Sequence, residues 1–321
     1  MMDYNSLTVA ICTLNRTQFA LNTLEEVIRQ KASVAAKVNV LVIDQTAEET
    51  IDSKLRHRIK EMVEGQICEW RFPSKVGLTT ARNAALSEIK DEIVVFIDDD
   101  VLLPPGYLQS YLDMFKQYPD VYGIAGPVYH RKMAEYPVEA LSLADREYGT
   151  GEQFTGRNPD VKLIGWKDIM VGCNHAIRRS KAIEVGGYDE GVVGGYHEDT
   201  DFTFRLDQAY PGCIAFNPDT WVVHLRAPSG GCRINQNNSH SEAGKLSGFC
   251  LLFFRHTTGF CGKLDVLKKI LRSGPLRREN LVDLTRQPAA WAGFFSAMWD
   301  AFKYRDQVRS PFPRANEGLT K

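Results

Sequence analysis

The first 130 residues alternate between short apolar runs and helical stripes, and this alternation limits the possible folds more than any other feature. Runs rich in β-forming residues cover 7–13, 38–43, 67–72 and 92–97. Between them, apolar residues recur at helical spacing, as in Ala20, Leu24 and Val27. Strands that alternate with helices favour a mostly parallel sheet with helices on both faces. We therefore expect an α/β fold.

Polar residues follow three of these strands at the point where each one ends. They are Thr13, Asn15 and Arg16 after the first strand, Asp44 after the second, and Asp98, Asp99 and Asp100 after the fourth. In open α/β sheets, ligands bind outside the carboxyl ends of the strands. The sequence therefore predicts a binding site at this edge of the sheet.

The run Asp98, Asp99, Asp100 is the strongest single signal. Three adjacent carboxylates repel one another and cannot form a core, but they suit a hard divalent cation such as Mg²⁺ or Mn²⁺. Such a cation typically bridges protein oxygens to phosphate oxygens. The alternative is an acidic loop or a helix cap, but the buried strand before the run directs it to the sheet edge.

Two further candidates lie about 100 residues later in the chain. Glu198 and Asp199 stand at a predicted helix start, where a carboxylate serves as a general base or simply complements the helix dipole. His224 ends a short apolar run, where an imidazole completes a metal site, contacts a phosphate or is only structural.

Three cations of the first 90 residues are further candidates. Arg16, Lys75 and Arg82 either neutralise a diphosphate or are ordinary surface cations.

Several classes of protein are excluded or disfavoured. The chain has no GxxxxGK[ST] loop, no GxGxxG after the first strand, and no GxSxG, HExxH or CxxC motif. Its seven cysteines indicate reduced thiols in a cytoplasmic protein. No apolar run approaches the roughly 18 residues that span a bilayer, and no signal peptide is expected.

The C-terminal part differs from the rest in charge. From Arg255 onward there are 13 basic and 6 acidic residues, whereas the remainder is acidic. Two helical stripes lie in this part; they consist of Leu264, Leu267, Ile270 and Leu271, and of Trp291, Phe294, Phe295, Met298 and Phe302. We expect a basic helical extension that docks on an anionic membrane surface. The alternative is that the stripes pack on the catalytic domain or on a second subunit, as in a homodimer. Nucleic acid is not an expected partner, because the basic residues form no recognised motif.

Eight segments, taken in order, resemble the family 2 glycosyltransferases. They are VAICTLNR (9–16), VLVIDQT (40–46), KVGLTTARNAAL (75–86), VVFIDDDVLLP (94–104), GCNHAIRRS (172–180), GGYDE (186–190), HEDTDFTFRL (197–206) and NPDTWVVH (217–224). The resemblance covers roughly residues 7–226 and implies the A-type glycosyltransferase fold with a nucleotide-diphospho-sugar site. It also implies an inverting enzyme.

The resemblance implies a role for each matching residue. Asp199 would be the catalytic base, with Glu198 beside it. The ligands of Mn²⁺ or Mg²⁺ would be Asp100, Asp98 and His224. The nucleotide-sugar pocket would be lined by Thr13, Asn15, Arg16, Asp44, Arg82, Asp98 and Asp99. Whether Asp99 shares the metal is open at this point. So is the nucleotide base, because Gln45 and Thr46 depart from the common family pattern after Asp44.

We therefore expect residues 1–240 to form the catalytic domain, with a nucleotide-sugar half (1–130) and an acceptor half (131–240). Residues 241–321 would form the extension, and 228–242, rich in Gly, Ser and Asn, a mobile loop. The expected reaction moves a sugar from a nucleoside-diphosphate sugar to a saccharide or lipid-linked acceptor in surface polysaccharide synthesis. The alternatives are a sugar-phosphate nucleotidyltransferase and an inactive nucleotide-sugar-binding protein.

Overall fold

The computed structural model describes residues 4–130, 146–148, 169–192, 196–227, 230–231, 239–257, 260–282 and 284–312. The strands of these ranges are β1 Ser6–Thr13, β2 Lys37–Asp44, β3 Glu69–Arg71, β4 Ile93–Asp98, β5 Val101–Leu102, β6 Gly123–Ala125, β7 Val128–His130, β8 Arg146–Tyr148, β9 Asn174–Arg178, β10 Ile214–Phe216 and β11 Val222–His224. The helices are α1 Thr17–Lys31, α2 Ser53–Glu64, α3 Leu78–Glu88, α4 Tyr107–Gln117, α5 Arg179–Glu184, α6 Glu198–Ala209, α7 Ser239–Arg255, α8 Phe260–Ser273, α9 Arg278–Val282 and α10 Gln287–Lys303.

The central sheet has the strand order β10-β6-β9-β4-β1-β2-β3. Neighbouring strands run parallel except at β9, which is antiparallel to both β4 and β6. A smaller sheet of order β5-β11-β7-β8 lies beside it. The predicted α/β class with a mostly parallel sheet is confirmed.

Helices cover both faces of the central sheet, as the sequence predicts. Because side chains alternate along a strand, Val9 of β1 packs into the core with α1, α2 and α4, while Ala10 packs into the core with α3, α5 and α6. Ala85 of α3 and Phe202 of α6 belong to the core on the Ala10 side of the sheet.

Some expectations differ from the structure. Helix α2 was not predicted, because charged residues dominate its sequence. The apolar residues within 169–178 predict a strand over that whole range, but the strand begins only at Asn174. The loop expected over 228–242 ends earlier, since α7 begins at Ser239. Residues 228–229 and 232–238 of that segment lie outside the described residues.

The C-terminal helices α7, α8 and α10 form a third apolar cluster around Cys250, Ile270 and Phe294. The aromatic stripe of α10 does not share one environment, which corrects the sequence expectation. Phe294 is buried in this cluster, whereas Phe295 and Phe302 are exposed. No described helix combines the length and the hydropathy that crossing a membrane requires.

Arg255, at the end of α7, joins the C-terminal helices to α6 and to the segment before it. Its guanidinium lies 2.7 Å from an oxygen of Asp201 on α6 and 3.0 Å from an oxygen of Asp189. It also donates to the backbone carbonyls of Tyr304, Arg305 and Gln307. The side chain of Arg255 is 5% exposed and both carboxylates are buried, so this is a buried ionic junction.

We expect Arg255→Ala to lower the free energy of unfolding by up to about 3–5 kcal/mol, because Asp189 and Asp201 lose the cation that they share, although Arg309 still pairs with Asp189 and Arg205 with Asp201. Urea unfolding at neutral pH measures the change. The matched control is Arg58→Ala, which removes a partly exposed pair with Glu25 and should cost less than about 1 kcal/mol. Equal effects of the two variants would show that the junction does not stabilise the fold.

Candidate active site

Three strand ends meet at one edge of the central sheet. The register of β1 places Thr13 beside Asp44 of β2, and Cys12 beside Asp98 of β4. All three strands run in the same direction, so the residues that follow them emerge together. This is the edge at which the sequence places the binding site.

The three aspartates at the end of β4 differ in their main partners, although Arg16 contacts both Asp99 and, at 3.5 Å, Asp100. Asp99 turns inward, where it accepts a hydrogen bond from the Thr13 hydroxyl (2.6 Å) and pairs with Arg16 (3.1 Å). Asp100 accepts from the backbone N–H of Ala227 at 2.7 Å. The side chain of Asp98 keeps 33% of its surface exposed. The like charges are therefore separated by the partners that each carboxylate has.

His224 completes a cluster with two of these aspartates. Strand β11 is antiparallel to β5, and its register sets His224 opposite Val101, the residue after Asp100. The His224 Nε2 atom lies 3.1 Å from an oxygen of Asp100 and 3.8 Å from an oxygen of Asp98. Among the described residues, Asp98, Asp100 and His224 form a group whose possible ligand atoms lie within 4.8 Å of one another. Two carboxylates and an imidazole suit Mn²⁺ or Mg²⁺, so this donor set fits the implied metal.

Burial and neighbouring charges move the pKa of each aspartate. Burial raises the pKa of Asp98. Burial, and then the charge of Asp100, raise the pKa of Asp99 to about 7. Burial also acts on Asp100, but its contacts with His224 and the Ala227 N–H outweigh burial and hold its pKa below the ordinary value. Asp100 is thus an anion beside the imidazole.

The first turn of α6 carries the second pair of carboxylates. Glu198 is buried and its Oε1 pairs with Arg82 at 3.0 Å, while no described group donates a hydrogen bond to its Oε2. Asp199 is half-buried and accepts from the backbone N–H groups of Gly172 (2.9 Å) and Thr200 (2.7 Å). Burial, and then the charge of Asp199, raise the pKa of Glu198 to about 7.

Arg82 of α3 lies between the two carboxylate groups. Besides Glu198, it donates to the carbonyl of Gly172 at 3.0 Å. Burial alone would lower its pKa, but Glu198 and, more weakly, Asp98 raise it above the ordinary value. A Cβ at Gly172 would lie 2.5 Å from the guanidinium, so this close approach requires glycine. Arg82 therefore contacts the predicted acceptor side, whereas the sequence reasoning placed it only in the nucleotide pocket.

The remaining predicted pocket residues differ in how accessible they are. Asp44 is fully buried and accepts from the Thr17 hydroxyl and the Thr46 N–H, each at 3.0 Å. Arg16 is also buried and is held by Asp99 and by the Ala227 carbonyl. Asn15, in contrast, is exposed and has a left-handed backbone with φ of 56°. Asn15 is thus the accessible member of this group.

Gln45 is a structural residue of the site that the sequence reasoning did not identify. Its side-chain amide donates to the carbonyls of Lys75 (2.7 Å) and Gly77 (3.1 Å), and its oxygen accepts from the Gly77 N–H. It therefore fixes the segment that leads into α3 and Arg82. Only its position next to Asp44 at a strand end could have indicated it.

The structure and sequence are similar to those of known glycosyltransferases. The mannosyltransferase PcManGT from Pyrobaculum calidifontis, in complex with GDP-Man and Mn²⁺, aligns with a TM-score of 0.51 at 18% identity over 91% of this chain and 74% of its own. S. aureus TarS 1–349, in complex with UDP-GlcNAc, aligns with a TM-score of 0.52 at 14% identity over 95% of this chain and 92% of its own. These similarities show the fold.

Two further findings concern the sequence. A pre-mycofactocin glycosyltransferase of Mycobacterium tuberculosis is 29% identical over 153 residues, which are 47% of this chain and 31% of that protein. The chain thus spans about a third of the length of this curated relative. The model of glycosyl transferase family 2 matches residues 8–186, more than half of the chain. The chain belongs to glycosyl transferase family 2.

Proposed function

We propose that the protein is an inverting, divalent-metal-dependent glycosyltransferase that moves a sugar from a nucleoside-diphosphate sugar to a hydroxyl of a saccharide or lipid-linked acceptor. The observation that carries this proposal is the arrangement of two carboxylate groups around Arg82: Asp98 and Asp100 at the strand ends, and Glu198 and Asp199 on α6. Family membership and the nucleotide sugars bound to the similar structures support it.

The donor would bind at the strand ends. Asp98, Asp100 and His224 would hold Mn²⁺ or Mg²⁺, which when bound stabilises the negative charge that develops on a departing diphosphate. Thr13 and Arg16 hold Asp99 away from the cluster, which leaves the cluster with two aspartates. Asn15 is exposed and would contact the nucleotide directly. Asp44 is buried and would hold in place the residues that line the nucleotide pocket.

Asp199 would act as the base. The N–H groups of Gly172 and Thr200 hold its carboxylate in place, and the residue keeps contact with solvent. It would take the proton from the acceptor hydroxyl as that oxygen attacks the anomeric carbon on the face opposite the diphosphate. One displacement breaks the bond to the diphosphate and inverts the anomeric centre. Glu198, fixed by Arg82, would lie beside the acceptor.

The wider setting follows from the same proposal. We propose residues 1–240 as the catalytic domain, with halves 1–130 and 131–240, and residues 241–321 as the extension. A role in cell-surface polysaccharide synthesis on the cytoplasmic side rests on the family resemblance. A panel of nucleotide sugars, tested with and without Mn²⁺ or Mg²⁺, distinguishes the alternatives. Free nucleoside diphosphate supports transfer, pyrophosphate indicates a nucleotidyltransferase, and no turnover with any donor and acceptor indicates an inactive binding protein.

We expect Asp100→Asn to lower transfer by more than about tenfold, because a neutral amide binds a hard cation poorly and stabilises less charge. Binding of Mn²⁺ alone, followed by the loss of the free-ion electron paramagnetic resonance signal, should weaken in parallel. Asp113→Asn, at an exposed site on α4, is the control and should leave both measurements unchanged. Full activity of the unaltered protein in excess chelator would contradict the metal role.

We expect Asp199→Asn to reduce transfer by about 10²–10⁴-fold while nucleoside diphosphate binding stays within a few-fold, because the amide cannot accept the proton. Transfer assays and calorimetric titration with nucleoside diphosphate provide the two measurements. Asp207→Asn on the same helix, where the carboxylate only accepts from the Gly212 N–H, is the matched control. Loss of nucleotide binding in the Asp199 variant would place Asp199 in the donor site or in the folding core instead.

A further inference from the structure

Helix α10 has an outward side that is apolar, here called the outer face. It consists of Phe295, Trp299 and Phe302, which are 62%, 65% and 44% exposed. Their spacing of four and three residues aligns them along the helix. The only charged residues of α10 are Asp300 and Lys303. An exposed helix side normally carries many charges, so this composition is unusual for a surface in water.

The exposed apolar surface continues at the start of the helix. Leu281 and Val282 at the end of α9 are 51% and 80% exposed. The side chain of Gln287 donates to the carbonyl of Asn280 at 2.9 Å, which fixes this end of α9 beside the first turn of α10. Exposed apolar residues concentrated on neighbouring helices in this way mark interaction sites.

The core of the extension covers the outer face only in part. An adjacent side of α10 supplies most of the packing, since Phe294 and Ala301 are buried with Cys250 and Ile270, and Phe302 contacts Phe254 of α7 with ring centres 5.5 Å apart. The outer face instead has a cation at its end, where the Arg305 guanidinium lies 4.2 Å from the centre of the Phe302 ring. The apolar side chains outside the core are therefore placed for contact with something else.

Exposed cations flank α10 at both ends. Arg278 on α9, Arg286 just before α10 and Lys303 at its end are all exposed. Lys268 and Arg272 on α8 are exposed as well. Aromatic side chains that insert shallowly, with arginines and lysines at the level of lipid phosphates, are the features of interfacial helices.

We propose that the outer face of α10, with Leu281 and Val282, docks on an anionic lipid surface. Charge complementarity selects this occupant over a second copy of the chain. In a twofold contact through the same face, the flanking cations of one copy would lie near those of the other, which costs energy. On anionic lipid the same cations meet opposite charge, and the aromatic rings enter the interfacial layer.

Flotation of the full chain with vesicles of phosphatidylglycerol and phosphatidylcholine tests the proposal without any substrate, so its result is independent of transfer activity. We expect binding to mixed vesicles, little binding to pure phosphatidylcholine, and weakening as salt rises. The double change Phe295→Ser and Trp299→Ser should lower the partition coefficient by about tenfold or more. Arg278→Glu with Lys303→Glu should also lower it and should reduce its salt dependence.

Matched controls use exposed positions elsewhere on the surface. Val63→Ser with Val76→Ser removes exposed apolar side chains from the catalytic half, and Lys54→Glu with Lys60→Glu reverses exposed cations on α2. Both should bind like the unaltered chain, and thermal unfolding confirms that every variant is folded. Absence of binding to mixed vesicles, or equal loss in controls and outer-face variants, would overturn the proposal. So would a dimer, seen by light scattering, that dissociates in the Phe295 and Trp299 variant while no form of the chain binds vesicles.

Discussion

Repulsion among the three carboxylates after β4 is the constraint on which the site depends. Such groups can share one strand end only if each has stabilising partners. Thr13 and Arg16 contact Asp99. His224 and the Ala227 N–H contact Asp100, and Arg16 lies 3.5 Å from it. These partners come from β1, the residue before α1, β11 and the segment after β11, so distant parts of the chain must fold before the carboxylates can lie together.

Much of this arrangement could be predicted from sequence, because it rests on local signals. The apolar runs that become β1, β2 and β4 end where polar residues begin. Parallel pairing then brings the ends of those strands together without further information. In the structure, the register of β1 against β2 and β4 places these strand ends side by side.

The partners of individual side chains could not be predicted, because they depend on contacts between distant parts of the chain. Nothing near Arg82 indicates that it pairs with Glu198, or that Gly172 makes room for it. Asn174 is similar, since its amide joins two tyrosine hydroxyls of α4 to the carbonyls of Pro127 and Thr220. Such residues lie within motifs that resemble the family, but only three-dimensional packing assigns their contacts.

The C-terminal extension is also connected to α6, the helix that carries Asp199. Arg255 binds Asp201, which lies two residues after Asp199 on α6, and it also binds the backbone that follows α10. Arg255, together with His256 and Arg309, therefore connects the helix that carries Asp199 to the helix that carries the outer face. Independent movement of the two parts would be costly, because Asp189 would lose Arg255 and Arg309, and Asp201 would lose Arg255 and His256 while keeping Arg205. Under the roles proposed for Asp199 and for the outer face, a surface that holds α10 would also fix the direction from which an acceptor approaches Asp199.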